Sequence, residues 1–182
     1  PERLAEDGWL VEAVLLPGNG SDPRDLREAA PETYVAMVRE RIAALRAEHG
    51  FVALAGFSMG GAVAVAAAAE EPVDALVLGA PFAGVTYRWY YLLPLRTWGA
   101  LLRPVTPWLY KGKAFIQVNR PEAKDELFSY DWIPAAAFQT LYALGDAATA
   151  PGTPEAVSAP VLWIHAPGDV AASYGKAEAL YA

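Results

Sequence analysis

The chain has 182 residues, 14 Lys+Arg against 21 Asp+Glu and a formal net charge of −7, with 54% hydrophobic and 19% charged residues. That balance excludes a disordered segment and supplies apolar material for one compact core. There are no cysteines and only two histidines, which excludes disulfides, thiolate metal sites and thiol catalysis and leaves little for an imidazole cluster. Any chemistry therefore rests on hydroxyls, carboxylates or two imidazoles.

The charge is uneven. Between Asp74 and Glu122 there is no acid, only Arg88, Arg96, Arg103, Lys111, Lys113 and Arg120. An acidic whole with one basic stretch does not offer the broad cationic face that phosphate binding needs, so no nucleic-acid partner is expected. The plain reading of the stretch is a solvated face. The first residue is Pro1 rather than Met, so the lack of a leader-like segment carries no weight. A cysteine-free chain is compatible with a cytoplasmic setting, which is the working expectation.

In chain order, Arg3 to Asp7 reads as the end of a helix stopped by Gly8, and Val11 to Leu16 as a short strand. Pro17 to Pro23, PGNGSDP, is a cluster of turn residues. From Pro31 to Gly50 the apolar residues Tyr34, Val38, Ile42 and Leu45 recur at helical spacing, which predicts an amphipathic helix. Phe51 to Ala55 predicts a strand, Gly56 to Gly61 a tight turn, Ala62 to Glu70 a helix of small side chains, and Val73 to Leu78 another strand. Apolar strands alternating with helices predict an α/β fold with a mostly parallel sheet flanked by helices, its first part spanning residues 1–80. Residues 81–159 hold most of the aromatics and no comparably clear strand. They are too long for a structureless loop, and a helical cap or lid insertion is expected. Val161 to Ile164 resumes the strand pattern, and Ser173 to Ala182 reads as a helix, so residues 160–182 return to the core. No stretch is expected to span a membrane, because the insertion is broken by Arg88, Pro94, Arg96, Arg103, Pro104 and Pro107.

Chemistry concentrates at Gly56-Phe57-Ser58-Met59-Gly60, a G-x-S-x-G between a predicted strand and a predicted helix. A serine at the tip of so sharp a turn is strained, and the residues around it must be small for helix and strand to approach. Gly56, Gly60 and Gly61 meet that need. The bland alternative is a glycine-rich turn with an incidental serine.

The run FVALAGFSMGGA (Phe51 to Ala62), with LPGNG (Leu16 to Gly20) and PVLWIHAPGD (Pro160 to Asp169), resembles the α/β-hydrolase superfamily, within it the carboxylesterase and monoacylglycerol-lipase-like serine hydrolases. The resemblance implies Ser58 as nucleophile, the Met59 backbone N–H as one oxyanion donor and Asp169 as the acid that orients a histidine, a mechanism of side chains and backbone donors for which neither metal nor organic cofactor is expected. Asp146 is the alternative acid, and a turn or capping role is the bland reading of Asp169. Two departures stand out. No histidine follows Asp169, where the family has its base, and neither His49 nor His165 suits that role. The loop that would give the second oxyanion donor has no match, and Asn19 stands where the family often reads histidine. The expectation is an internal piece of a larger domain, inactive alone because its base is missing.

Tyr87, Trp89, Tyr90, Tyr91, Trp98 and Trp108 are interleaved with leucines. Their plain reading is cap core. The sharper one is a lid over Ser58 in which Trp89, Tyr90 and Trp98 line an acyl pocket, with transient contact to a membrane surface. The expected function is a serine hydrolase of carboxylic esters, including monoacylglycerol or lysophospholipid types, acting on small-molecule or lipid esters. A non-catalytic binding module for a hydrophobic ligand and an acyltransferase are the alternatives.

Overall fold

The computed structural model describes residues 2–86, 92–110, 112, 122, 129–169 and 171–178. In chain order these form α1 (Glu2–Glu6), a 3-10 turn (Pro23–Arg27), α2 (Pro31–Glu48), β1 (Ala53–Phe57), α3 (Met59–Glu70), β2 (Ala75–Gly79), α4 (Leu95–Leu102), β3 (Trp108–Tyr110), β4 (Trp132–Pro134), α5 (Ala135–Ala148), α6 (Thr153–Ala156), β5 (Val161–Ile164) and α7 (Tyr174–Glu178). Strands β1, β2 and β5 make a parallel sheet in the order β1-β2-β5, with Ala55 opposite Val77 and Val77 opposite Leu162. The α/β architecture and parallel sheet expected from the sequence are therefore present.

Helix α3 is the hub. Ala62 to Ala68 are all buried, and a helix apolar on every side needs neighbours on every side. It packs on β1 and β2, against α2, and against α5 and α6. Its short side chains let those elements come close. Helix α2 begins with Pro31 at a position where the missing N–H is no loss. It buries Tyr34, Val35, Val38 and Ile42 along one stripe, the spacing the sequence predicts.

Val11 to Leu16 is not a strand. Residues 9–16 carry no regular structure and mostly face solvent, with Leu15 68% exposed. A strand exists only through the ladder it makes with a neighbour, and no ladder among the described residues includes this segment. Its apolar composition marks a surface-lying stretch, tied down by an ion pair from Glu12 to Arg41.

Within residues 81–159, α4 lies against α5 through Arg96 and Asp146 (2.7 Å) and through Arg103 Nη1 donating to Gln139 (2.9 Å). Strands β3 and β4 pair antiparallel as a separate small sheet, and the Arg27 guanidinium sits 4.8 Å above the Trp108 ring. Helix α5 shares the core with α3: Leu144 and Ala148 are fully buried. At Gly145 a Cβ would stand 3.1 Å from Phe82, so that glycine allows helix and loop to meet.

The two faces of the parallel sheet differ. Leu54, Gly56, Leu76, Leu78, Val161 and Trp163 turn toward the helices, whereas Phe57, Leu162 and Ile164 on the other face are 75%, 57% and 61% exposed.

Candidate active site

Ser58 stands at the corner where β1 ends and α3 begins. Its φ of 51° and ψ of −117° lie in a region that side-chain-bearing residues rarely adopt, a strain of about 1–3 kcal/mol. The corner is over-determined. Ser58 N–H donates to the Gly79 carbonyl (2.9 Å), and the Ser58 carbonyl accepts from Gly61 (2.9 Å), Ala62 (3.2 Å) and Phe82 (3.0 Å). The loop after β2 thus grips the turn from the side, a contact with no sequence signal.

Sequence spacing nominates three glycines for the corner, and the structure separates them. A Cβ on Gly56 would fall 2.3 Å from the Gly60 carbonyl oxygen, and one on Gly61 would fall 2.9 Å from the Pro81 Cα. A Cβ on Gly60 would meet nothing within 4 Å. Gly56 is therefore required where the strand meets the helix start and Gly61 where the helix meets the loop after β2, while a side chain at Gly60 would have open space.

Met59 is the first residue of α3, so its N–H has no carbonyl a turn back to bond. It points a fixed partial positive charge at the helix start. Asp169 follows β5 in a tight turn closed by its N–H on the Ala166 carbonyl (3.0 Å). Its Oδ1 accepts from Ala171 N–H (2.8 Å) and Ala172 N–H (2.9 Å), and Thr86 Oγ1 donates to its carbonyl (3.1 Å). The Asp169 side chain remains 24% exposed, and His165 Nε2 stands 3.7 Å from its Oδ2.

The sheet brings these residues to one edge. Ser58 and Asp169 follow the C-terminal ends of β1 and β5, parallel strands that flank β2 and lie two strand spacings, about 10 Å, apart. Ala80 N–H donates to the Ile164 carbonyl (2.8 Å), which laces the ends of β2 and β5 together, and Ala80 itself has a φ of 42°. Ligand clefts in open parallel sheets form at this edge.

His49 is not at this edge. It is the exposed C-cap residue of α2, with its N–H on the Leu45 carbonyl. It precedes β1 while Ser58 follows it, and the strand length of about 15 Å separates them. His165 has a fully buried ring with Nε2 on the Ala172 carbonyl at 3.1 Å. Asp146, the alternative acid, lies on α5 paired with Arg96. Trp98 is half-buried on α4. Trp89 and Tyr90 lie outside the described residues. Asn19 Nδ2 donates to the Leu16 (3.4 Å) and Pro17 (3.2 Å) carbonyls, closing its own loop. Tyr34 supports that loop by donating to the Pro17 carbonyl (3.0 Å), and burial pushes its phenol pKa up. Among the described residues no cluster of His, Asp and Glu could hold a metal, and no helix is long and apolar enough to cross a membrane.

A parallel sheet with a strained serine after one strand and an aspartate after a later one defines the α/β-hydrolase class. The chain belongs to the Hydrolase_4 family, described as serine aminopeptidase S33, whose model matches residues 2–182. No curated protein matches it in sequence. Among solved structures, it is similar to a chain from work on LipS and LipT, two metagenome-derived lipolytic enzymes, at 20% identity and a TM-score of 0.82 over 99% of this chain and 69% of that one. It is also similar to the monoacylglycerol lipase of Paleococcus ferrophilus, at 20% identity and a TM-score of 0.62 over 84% of this chain and 60% of that one. A soluble variant of the monoglyceride lipase of Saccharomyces cerevisiae, solved with a substrate analogue, matches at 13% identity and a TM-score of 0.65 over 91% and 60%. At such identities the likeness establishes the fold, and this chain spans about three fifths to two thirds of those relatives.

Proposed function

We propose that the protein carrying this chain is a serine hydrolase of carboxylic esters, of carboxylesterase or monoacylglycerol-lipase type, working through an acyl-enzyme on Ser58. The observation that carries the reading is the strained backbone of Ser58, held from four sides at the C-terminal edge of a parallel sheet. Strain so firmly imposed suits a hydroxyl that must be presented to a substrate.

In this reading Ser58 Oγ attacks the ester carbonyl carbon while its proton passes to a histidine base. The carbonyl oxygen becomes an oxyanion that the Met59 N–H stabilises. Collapse expels the alcohol, which takes the proton, and water then releases the acid by the same route. Asp169 orients the histidine through Oδ2, the oxygen that Ala171 and Ala172 of the described loop leave unbonded. The geometry of His49 and His165 suits neither for the base, so we place that histidine outside these 182 residues. The uncovered sheet face and the greater length of the structural relatives support a larger domain. An acyl pocket would lie under a lid within residues 81–159, with Trp98 and, among residues outside the described set, Trp89 and Tyr90 as its lining. Leu92, Leu101 and Val105, which are exposed, supply apolar surface there.

A fluorophosphonate probe on the full-length protein tests the reading. The expected adduct forms at Ser58, and Ser58→Ala removes both the adduct and about 10⁴-fold or more of ester turnover. An unlabelled Ser58 in an active preparation sinks the proposal. Comparing acyl esters with aminoacyl anilides separates ester cleavage from the aminopeptidase chemistry in the family's description. Deleting residues 87–110 should selectively depress cleavage of long-chain esters, and an unchanged chain-length preference would remove the lid.

A further inference from the structure

We propose that His165 is a positioning residue that fixes the Asp169 loop and thereby the direction in which Oδ2 is offered to the base. The inference rests on the reading of Asp169 as the acid of a serine hydrolase. His165 lies at the end of β5, four residues before that acid, and its side chain is entirely buried. Trp163 meets the ring edge-on at 5.6 Å and 88°, and Tyr174 meets it at 5.5 Å and 71°. Those two rings stack on each other at 5.2 Å and 26°. Strand β5 and helix α7 thus clamp the imidazole in one orientation.

The hydrogen bonding assigns its tautomer. Nε2 lies 3.1 Å from the Ala172 carbonyl oxygen, which only accepts, so Nε2 carries the hydrogen and donates. In the neutral ring Nδ1 is then the acceptor, and it is buried without a hydrogen-bond partner among the described residues. A buried acceptor with no donor is penalised by its lost hydration, a penalty that phenylalanine in the same aromatic clamp would avoid. Packing alone therefore does not account for an imidazole here. The Nε2 donor does.

That donor acts on the residue that holds the acid. Ala172 is buried; its N–H binds Asp169 Oδ1 at 2.9 Å while its carbonyl takes the His165 hydrogen. Both polar ends of one residue are thereby tied, one to the acid and one to the strand that precedes it. Nε2 stands 3.7 Å from Oδ2, too far to bond it. His165 spends its hydrogen on the loop and leaves Oδ2 for another donor. Thr86 at the Asp169 carbonyl and the Ser173 N–H on the Gly84 carbonyl (2.8 Å) hold the same turn from the opposite side.

Two substitutions in the full-length protein separate positioning from packing. His165→Gln keeps an N–H at comparable reach and loses the ring; His165→Phe keeps the ring and loses the N–H. Positioning predicts that Gln retains kcat within a fewfold while Phe loses about 10- to 100-fold in kcat at a nearly unchanged KM. Phe equal to or better than Gln overturns it. Ser58→Ala is run in parallel: full turnover by that variant defeats the underlying hydrolase reading, whatever the His165 variants do. A measurement on the unaltered chain needs neither turnover nor a variant that folds. The ring nitrogen NMR shifts of His165 should report the Nε2–H tautomer with slow exchange of that hydrogen, and an Nδ1–H tautomer overturns the proposal.

Discussion

The parallel sheet shows two faces drawn from the same three strands at alternate positions, and they live in opposite environments. On one, Leu76 and Leu78 are 1% and 4% exposed beneath α3; on the other, Phe57, Leu162 and Ile164 are mostly open. Both faces are apolar, as in parallel sheets covered on two sides. The difference between them is therefore not in the residues but in what has been laid over them. The covered face stabilises the frame, and the site grows from the edge that both faces share.

The largest expected effect sharpens that contrast. Leu76→Ala, at the centre of the covered face, should lower unfolding free energy by about 2–5 kcal/mol in urea titration, because the truncated side chain leaves a cavity. Gly56→Ala comes next, at about 1–3 kcal/mol, since its methyl would collide with the Gly60 backbone rather than with a side chain that can rotate away. It should also abolish probe labelling at Ser58 while the remaining fold survives, and Gly60→Ala should do less on both counts. Leu162→Ala on the open face should change the stability of the 182-residue chain by no more than about 0.5 kcal/mol. The same substitution in the full-length protein is the more telling measurement. A cost there approaching that of Leu76→Ala would mean the open face is covered, as the proposed larger domain requires.

The smallest effect is electrostatic. Asp22 caps the 3-10 turn through Arg24, whose side-chain hydrogen bond, with the Arg24 backbone N–H, holds the carboxyl pKa down to about 2. A depressed carboxylate contributes stability that is present above its unfolded value near 4 and is lost as pH falls through about 2. Asp22→Asn should therefore remove a slight contribution at neutral pH and less of it at about pH 2, readable as converging thermal midpoints; a gap that widens toward acid contradicts the assignment.

The helices and core strands were legible because their periods are local. The spacing of Tyr34, Val38 and Ile42 announces α2, and the alanine run announces a helix buried all round. G-x-S-x-G predicts a strand-to-helix corner for the same reason, since Gly56 answers a crowding against the Gly60 backbone that arises within five residues. Val11 to Leu16 misled because a strand needs a partner, and apolar content says nothing about whether one is adjacent. At Gly60 the spacing suggests a need for a small residue that the surrounding space does not impose. His165 read as a structural residue, and its grip on the Asp169 loop depends on the rotation of a ring between two others, which no spacing encodes.

What the sequence by itself determined is the class of fold and its core elements α2, β1, α3, β2 and β5, because each follows from a local pattern; it also singles out Ser58 and Asp169 as candidates by the same kind of local motif. Only the tertiary structure decided that Phe82 and Thr86, from the loop after β2, hold the serine turn and the acid turn, that one sheet face lies open, and that Nε2 of His165 is committed to Ala172. Those contacts join residues up to 83 positions apart, and such pairings are settled by how the layers stack rather than by any local preference of the chain.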